Sequence, residues 1–292
     1  MDDAWMPEGP IPFWKMTGSG NDFVVVDNRA GLIPPAAVAG FARRVCRRGL
    51  ALGADGVVLI GTAAPGDAAD LAWRYVNADG SDGDFCGNGA LCGARFAVLN
   101  RIAPARCTLA TAAGLVQAEV PDPADPRVRL AIANPGPLRL DLPLDIGGES
   151  RTLHAIQVGV PHAVLAVADV DGFGPDPAFA DLGRAVRHHP AFPDGTNLDA
   201  IAVLDRSTLQ MRTYERGVEA ETLACGSGAV ASAVVATALG RVAPPVTVIT
   251  RSGRPLAVDF AWHPVTARAT AVTLTGEARV VAVGELWPEG LA

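Results

Sequence analysis

Residues 77–95 read NADGSDGDFCGNGALCGAR, a turn-rich approach to a helix start with a cysteine at its threshold. Tyr75-Val76 close an apolar, strand-like run, and Asp79-Gly80-Ser81 then turn the chain. Cys86 stands directly before Gly87-Asn88-Gly89 and a helix-forming run from Ala90 to Leu99. At that position the first-turn N–H groups lack partners within the helix, and the helix dipole favours an anion. Such surroundings lower a thiol's pKa and make it reactive. The glycines also let backbone amides approach a bound carboxylate closely.

The chain repeats this device. CGNGALCGARFAVLNRIAPARCTLATAAG from Cys86 aligns with CGSGAVASAVVATALGRVAPPVTVITRSG from Cys225. Thr108, Thr111 and Gly114 meet Thr247, Thr250 and Gly253 at the same offset, and Asn100 and Gly240 end their helices one residue out of step. A repeat of this length predicts two similar halves. The expected halves are 1–133, carrying Cys86, and 134–278, carrying Cys225. Asn134-Pro-Gly-Pro marks the boundary, and 279–292 is expected to return to the first half.

Composition narrows the chemistry. At 292 residues the chain can hold two cores, and no run reaches the roughly 18–20 apolar residues of a membrane span. The acidic N-terminus lacks a signal-peptide pattern, so a cytoplasmic location is expected. A net charge of −7 argues against nucleic acid as a partner, since phosphates need a basic face. Five cysteines without a C-x-x-C pair favour free thiols and no zinc. Lys15 is the sole lysine, so a pyridoxal-phosphate Schiff base has one candidate residue. There is no G-x-G-x-x-G after a strand and no Walker loop. Side chains alone must do the chemistry.

Along the chain, Phe13 to Asn28 reads strand, glycine-rich turn, strand, with Asn21 and Asp22 at the end of the turn. Pro35 to Arg48 is predicted as an amphipathic helix with a solvated arginine face, and Cys46 as a small buried residue. A hairpin is expected around Gly114, then a strand from Val128 to Ala133. His162 is predicted on a loop between strands 153–158 and 163–167, where it could line a site or serve structure. Asp176 to Arg187 is predicted as a short helix, with His188-His189 as helix-terminal charges rather than metal ligands. Asn197 begins a strand after a turn. Glu215-Arg216, closing strand 209–214, are either a surface pair or the holders of a zwitterion. Final strands are expected over 270–274 and 278–283.

Lys15-Met-Thr-Gly-Ser-Gly-Asn-Asp-Phe23, Gly53-Ala-Asp-Gly56, Asn77-Ala-Asp-Gly-Ser81, Pro161-His162, Asn197, Glu215-Arg-Gly217 and the two Cys-Gly-x-Gly-Ala motifs together resemble the diaminopimelate epimerase family. The match runs in order over nearly the whole chain. The resemblance implies an α+β fold of two halves, each a curved mixed or antiparallel sheet or barrel around a central helix, and a homodimer. It implies inversion of an amino-acid α-carbon without cofactor or metal, with Cys86 and Cys225 as the acid/base pair. Asn21, Asn77, Asn197, Glu215 and Arg216 would bind substrate, and the amides of Gly87, Asn88, Gly226 and Ser227 would hold its carboxylate. The neighbouring possibilities are a proline, hydroxyproline or histidine racemase of the same superfamily and, more distantly, a thiol redox protein. Three positions depart from the family pattern. Val160 stands where Asn is common and Leu91 where Arg is usual, and Glu219-Ala220 replace a glycine, adding one residue before Cys225.

Overall fold

The computed structural model describes residues 5–173 and 176–292. It divides into two compact units, Met1–Leu130 with Gly276–Ala292, and Ala131–Thr275.

In the first unit the strands are β1 (Ile11–Gly18), β2 (Asn21–Asp27), β3 (Gly56–Gly61), β4 (Leu71–Asn77), β5 (Asp82–Gly83), β6 (Arg106–Thr111), β7 (Gly114–Glu119) and β8 (Arg127–Ala131). Helix α1 (Val38–Val45) links β2 to β3, and α2 (Gly87–Leu99) links the β4–β5 hairpin to β6. These crossovers make β2–β3 and β4–β6 parallel, while the tight turns make β1–β2, β3–β4 and β6–β7 antiparallel. The chain's last strand lies antiparallel to β1, pairing Ile11 with Leu286, and β8 also pairs with it. Eight strands thereby close into a barrel around α2, which touches β1, β2, β3, β4 and β7. Helix α2 is apolar on nearly every side, as a helix inside a barrel must be.

The second unit repeats the plan with β9 (Arg139–Ile146), β10 (Glu149–Val158), β11 (Val160–Ala166), α3 (Asp176–Arg187), β12 (Asn197–Val203), β13 (Thr208–Glu215), β14 (Ala220–Thr222), α4 (Gly226–Ala238), β15 (Val246–Ile249), β16 (Pro255–His263) and β17 (Arg268–Leu286). Its parallel pairs, β11–β12 and β13–β15, again span the two helices. Helix α4 packs on β10, β11, β12, β13, β15 and β16 and is buried along its length.

Several local expectations change. His162 lies within β11, not on a loop, because Pro161 needs only to forgo an N–H that this strand position can spare. Asn21 opens β2 and no longer belongs to the turn. The predicted helix over 35–48 is a 3₁₀ turn, Pro35–Ala37, followed by α1, which ends at Val45 with Cys46 as its C-cap. The two predicted final strands are one continuous strand, β17, which runs from the second unit into the first.

Candidate active site

Each unit begins its central helix with a cysteine as the N-cap. Cys86 has φ −135° and ψ 112°, and its sulfur accepts the Gly89 N–H at 3.4 Å. Cys225 has φ −128° and ψ 115°, and its sulfur accepts the Gly228 N–H at 3.4 Å. The thiol takes the capping role that Ser or Asp usually plays, and an N–H bond to sulfur favours the thiolate. Gly87, Asn88, Gly226 and Ser227 are the first two residues of their helices, among the amides that an α-helix does not bond internally.

Behind Cys86, Asn88 is 3% exposed and donates its Nδ2 to Asn21 Oδ1 at 2.8 Å. Asn21 Nδ2 in turn donates to Asp55 Oδ2 at 3.0 Å. A carboxylate can only accept, so the chain of amides has one orientation, and Asn88 Oδ1 is left buried without a partner. Asp55 and Asp22 exchange backbone N–H bonds, and Arg48 bridges both carboxylates at 2.5 and 2.8 Å. Burial would raise Asp22, but bonds from Arg48 and Lys15 outweigh it and hold its carboxyl below the usual range. Arg48 stays largely exposed, as a solvated arginine face implies, while its guanidinium ties into this cluster. Lys15 bonds Asp22 at 2.7 Å and the Gly53 carbonyl. Asn77 ends β4 with its amide turned to Ser81 Oγ at 3.0 Å, not toward the Asn21–Asn88 pair.

Behind Cys225 the network is titratable. His162 Nδ1 lies 2.7 Å from Asp199 Oδ2, so the ring donates there. Its Nε2 then accepts from Ser227 Oγ at 3.0 Å and from Asn197 Nδ2 at 3.3 Å. Ser227 Oγ is also 3.4 Å from Cys225 Sγ. Thr213 Oγ1 donates to the other Asp199 oxygen at 2.8 Å. Asn197 Oδ1 accepts the Arg216 N–H at 2.7 Å, and Thr222 bonds Glu215 Oε1 at 2.5 Å. Burial raises the Glu215 carboxyl, opposed by bonds from Thr222 and Cys225. Burial also pushes the Cys225 thiol well up, and the Glu215 and Asp199 carboxylates push it further against the bonds from Ser227 and Gly228.

His162, Asn197, Glu215, Arg216, Cys225 and Ser227 therefore form one cluster in the second unit. Asn21, Asn88 and Cys86 flank the start of α2 in the first. Sequence reasoning missed Asp199, Thr213 and the Asp22–Asp55 clasp. Their signal is tertiary, arising across paired strands, and only the motif around Asp55 hinted at it. All five cysteines are free. The other three cap no helix start: burial takes Cys46 up to about 12 and Cys107 to about 11, and raises Cys92 as it raises Cys225.

The profile of the family described as diaminopimelate epimerase matches residues 13–135 and 154–281. The chain belongs to the diaminopimelate epimerase family. It is 39% identical over 289 residues to the diaminopimelate epimerase of Aquifex aeolicus (strain VF5), covering 96% of this chain and 99% of that protein. It is 37% identical over 253 residues to that of Archaeoglobus fulgidus, covering 83% and 87%. Among solved structures, a PhzF-family phenazine biosynthesis protein of Bacillus anthracis superposes with a TM-score of 0.73 at 12% identity, covering 95% of this chain and 99% of that one. A hydroxyproline epimerase from Agrobacterium vitis, with trans-4-hydroxy-L-proline bound, gives 0.69 at 16% identity, covering 98% and 96%. These structures show that the fold is shared with a phenazine biosynthesis protein and a hydroxyproline epimerase.

Proposed function

We propose that this member of the diaminopimelate epimerase family interconverts LL- and meso-diaminopimelate in the supply of lysine and cell-wall precursors, with Cys86 and Cys225 as its two acid/base residues. The observation that carries this reading is the pair of cysteine N-caps, one per unit, each at a helix start that can bind a carboxylate. One thiolate removes the α-proton; the electron pair spreads onto the substrate carboxylate; the other thiol returns a proton to the opposite face. First-turn amides at Gly87, Asn88, Gly226 and Ser227 stabilise the charge that develops on that carboxylate. Asn21, Asn77, Asn197, Glu215 and Arg216 bind the substrate's charged groups, and no cofactor is required. Burial, with the Glu215 and Asp199 carboxylates beside it, favours the thiol form of Cys225, the form that donates a proton.

We infer a homodimer as well. Val281 and Val283 are 61% and 62% exposed on β17 where it pairs with β1, and Trp287 just beyond is also exposed. An apolar strand of this kind invites a partner. The free thiols fit a reducing, cytoplasmic setting. Proton NMR of LL-diaminopimelate in D₂O with dialysed protein tests the activity. Loss of the α-proton signal together with appearance of the meso isomer is expected; no exchange, or exchange only with added pyridoxal phosphate, contradicts the reading.

A further inference from the structure

Glu219 lies in the turn of the β13–β14 hairpin, three residues after Arg216. Glu219 has φ +57°, a left-handed conformation that glycine adopts without strain and glutamate does not. The strain persists because the residue is held on several sides. Its N–H bonds the Glu215 carbonyl at 2.8 Å, and its Oε1 accepts the Gly217 N–H at 3.0 Å and Arg187 Nε at 3.0 Å. Its Oε2 takes Tyr214 OH at 3.4 Å and lies 4.0 Å from His188 Nε2.

Arg187, the last residue of α3, reaches two loops at once. Besides Glu219 it lies against Gly195, so closely that a side chain there would strike its guanidinium; φ at Gly195 is +70°. Gly195 sits in the turn that delivers Asn197. That turn is also bonded to the hairpin, because Arg216 donates Nη1 to the Asp194 carbonyl at 3.0 Å and its N–H to Asn197 Oδ1 at 2.7 Å. The two segments carrying Asn197, Glu215 and Arg216 therefore share Arg187 as a common contact on α3, beside the packing of α3 on β12, β13 and β14 and the approach of His188 to Glu219.

We propose that Arg187 and Glu219 are positioning residues for substrate binding: their ion pair fastens the β13–β14 hairpin and the 194–197 turn to α3, so that Asn197, Glu215 and Arg216 present one preformed arrangement to an amino acid with a second zwitterionic end. This rests on the substrate-binding role given above to those three residues. The glutamate holds a left-handed backbone at a cost in strain, and its ion pair and hydrogen bonds fix the binding surface in return.

The test compares wild type with Glu219→Gly, Arg187→Ala and the double variant. Glu219→Gly relieves the strained φ, so it keeps the fold. First, hydrogen exchange without ligand is followed over 192–198 and 213–222. Each single variant should loosen both segments, and the double no more than either single. Second, KM for diaminopimelate should rise about fivefold in each single and no further in the double, with kcat within about twofold, the scale of a partly exposed ion pair. Glu219→Gln, which keeps an acceptor for Gly217 but drops the charge, should fall between. Exchange at 192–198 unchanged in Glu219→Gly, KM unchanged in both singles, or effects that multiply in the double each overturn the proposal. A wild type that shows the exchange coupling but does not epimerise diaminopimelate overturns the functional reading and leaves the clasp standing.

Discussion

The two units share a frame and differ in what fills it. In the first, Phe23 of β2 pairs with Gly56 of β3, and Val58 and Tyr75 complete the wall behind α2. In the second, His162 of β11 pairs with Asn197 of β12, and Asp199 and Thr213 stand in the matching places. The volumes trade accordingly. A side chain at Gly56 would run into the Tyr75 ring, whereas the smaller Thr213 leaves room for Asn197. A Cβ at Gly89 would pack against Val58, while one at the matching Gly228 would strike Asp199 Oδ1. Trp73 lies so near α2 that Gly93 can carry no Cβ without a clash at 2.7 Å, yet the matching pair in the second unit is Met211 with Ser232, in contact at 3.3 Å. The repeat therefore preserves the helix start and the capping cysteine, because those do the same job on each side. What lies behind the cysteine differs: the second unit holds the buried His162–Asp199–Thr213 network at the positions where the first has Phe23, Val58 and Tyr75.

If the cysteines do equivalent work in unlike surroundings, each should be indispensable. Cys86→Ser and Cys225→Ser should each lower epimerisation about a thousandfold, since general acid/base groups contribute on that scale and serine is a far weaker acid. Coupled assay of meso-diaminopimelate formation checks this, and one variant near wild-type rate would make that cysteine structural.

The next largest effect falls on the network that only the second unit has. Asp199→Ala leaves His162 Nδ1 and Thr213 Oγ1 buried without acceptors and should cost about 3 kcal/mol in urea unfolding. A cost below about 1 kcal/mol would mean that the network contributes little to the fold.

Volume exchange gives a smaller change of the opposite pattern. Gly93→Ala should destabilise by about 2 kcal/mol through overpacking against Trp73, whereas Ser232→Ala should cost under about 1 kcal/mol. Pairing Gly93→Ser with Trp73→Met, the second unit's own combination, should recover most of the loss. Failure to recover would show that the two frames are not interchangeable.

Thiol titration sharpens the electrostatic side. Cys225 is the buried thiol with raised pKa, so its alkylation by iodoacetamide should lag Cys86 about tenfold at pH 8 and keep climbing with pH beyond an ordinary thiol's plateau. Glu215→Gln removes one carboxylate beside it and should move the Cys225 profile toward lower pH. Peptide mapping by mass spectrometry reads both rates. Equal rates, or an unmoved profile, would break the asymmetry.

Much of the frame was legible in the residues. The repeated Cys-Gly-x-Gly-Ala starts, the apolar runs after them and the glycine turns announce helices α2 and α4 and several of the strands around them. The short β5 and β14 went unread, as did β15, and two longer strands escaped with them. β9 alternates Leu142 and Leu144 with polar neighbours but contains Pro143, which argues against a strand until one sees its place in the pairing with β10. β16 is similarly masked by its Pro255 start and exposed alternate residues. The cysteines and their glycines stood out because helix-start chemistry is local. Asp199 did not, since nothing in Asn197-Leu198-Asp199 shows that β11 and β13 will bring His162 and Thr213 to it. Glu219's left-handed backbone was equally invisible, for its cause lies on α3.

The central claim is that Cys86 and Cys225 serve opposite faces of one α-carbon. It is tested most directly by following α-proton exchange into D₂O by NMR in Cys86→Ser and in Cys225→Ser, with LL- and meso-diaminopimelate supplied separately. Each variant keeps one thiol and the carboxylate-binding amides. Each should exchange the α-proton of one configuration only, and the two should choose opposite configurations, at rates well above the uncatalysed background. Exchange of the same configuration by both variants, or of both configurations by either one, would contradict the two-base account.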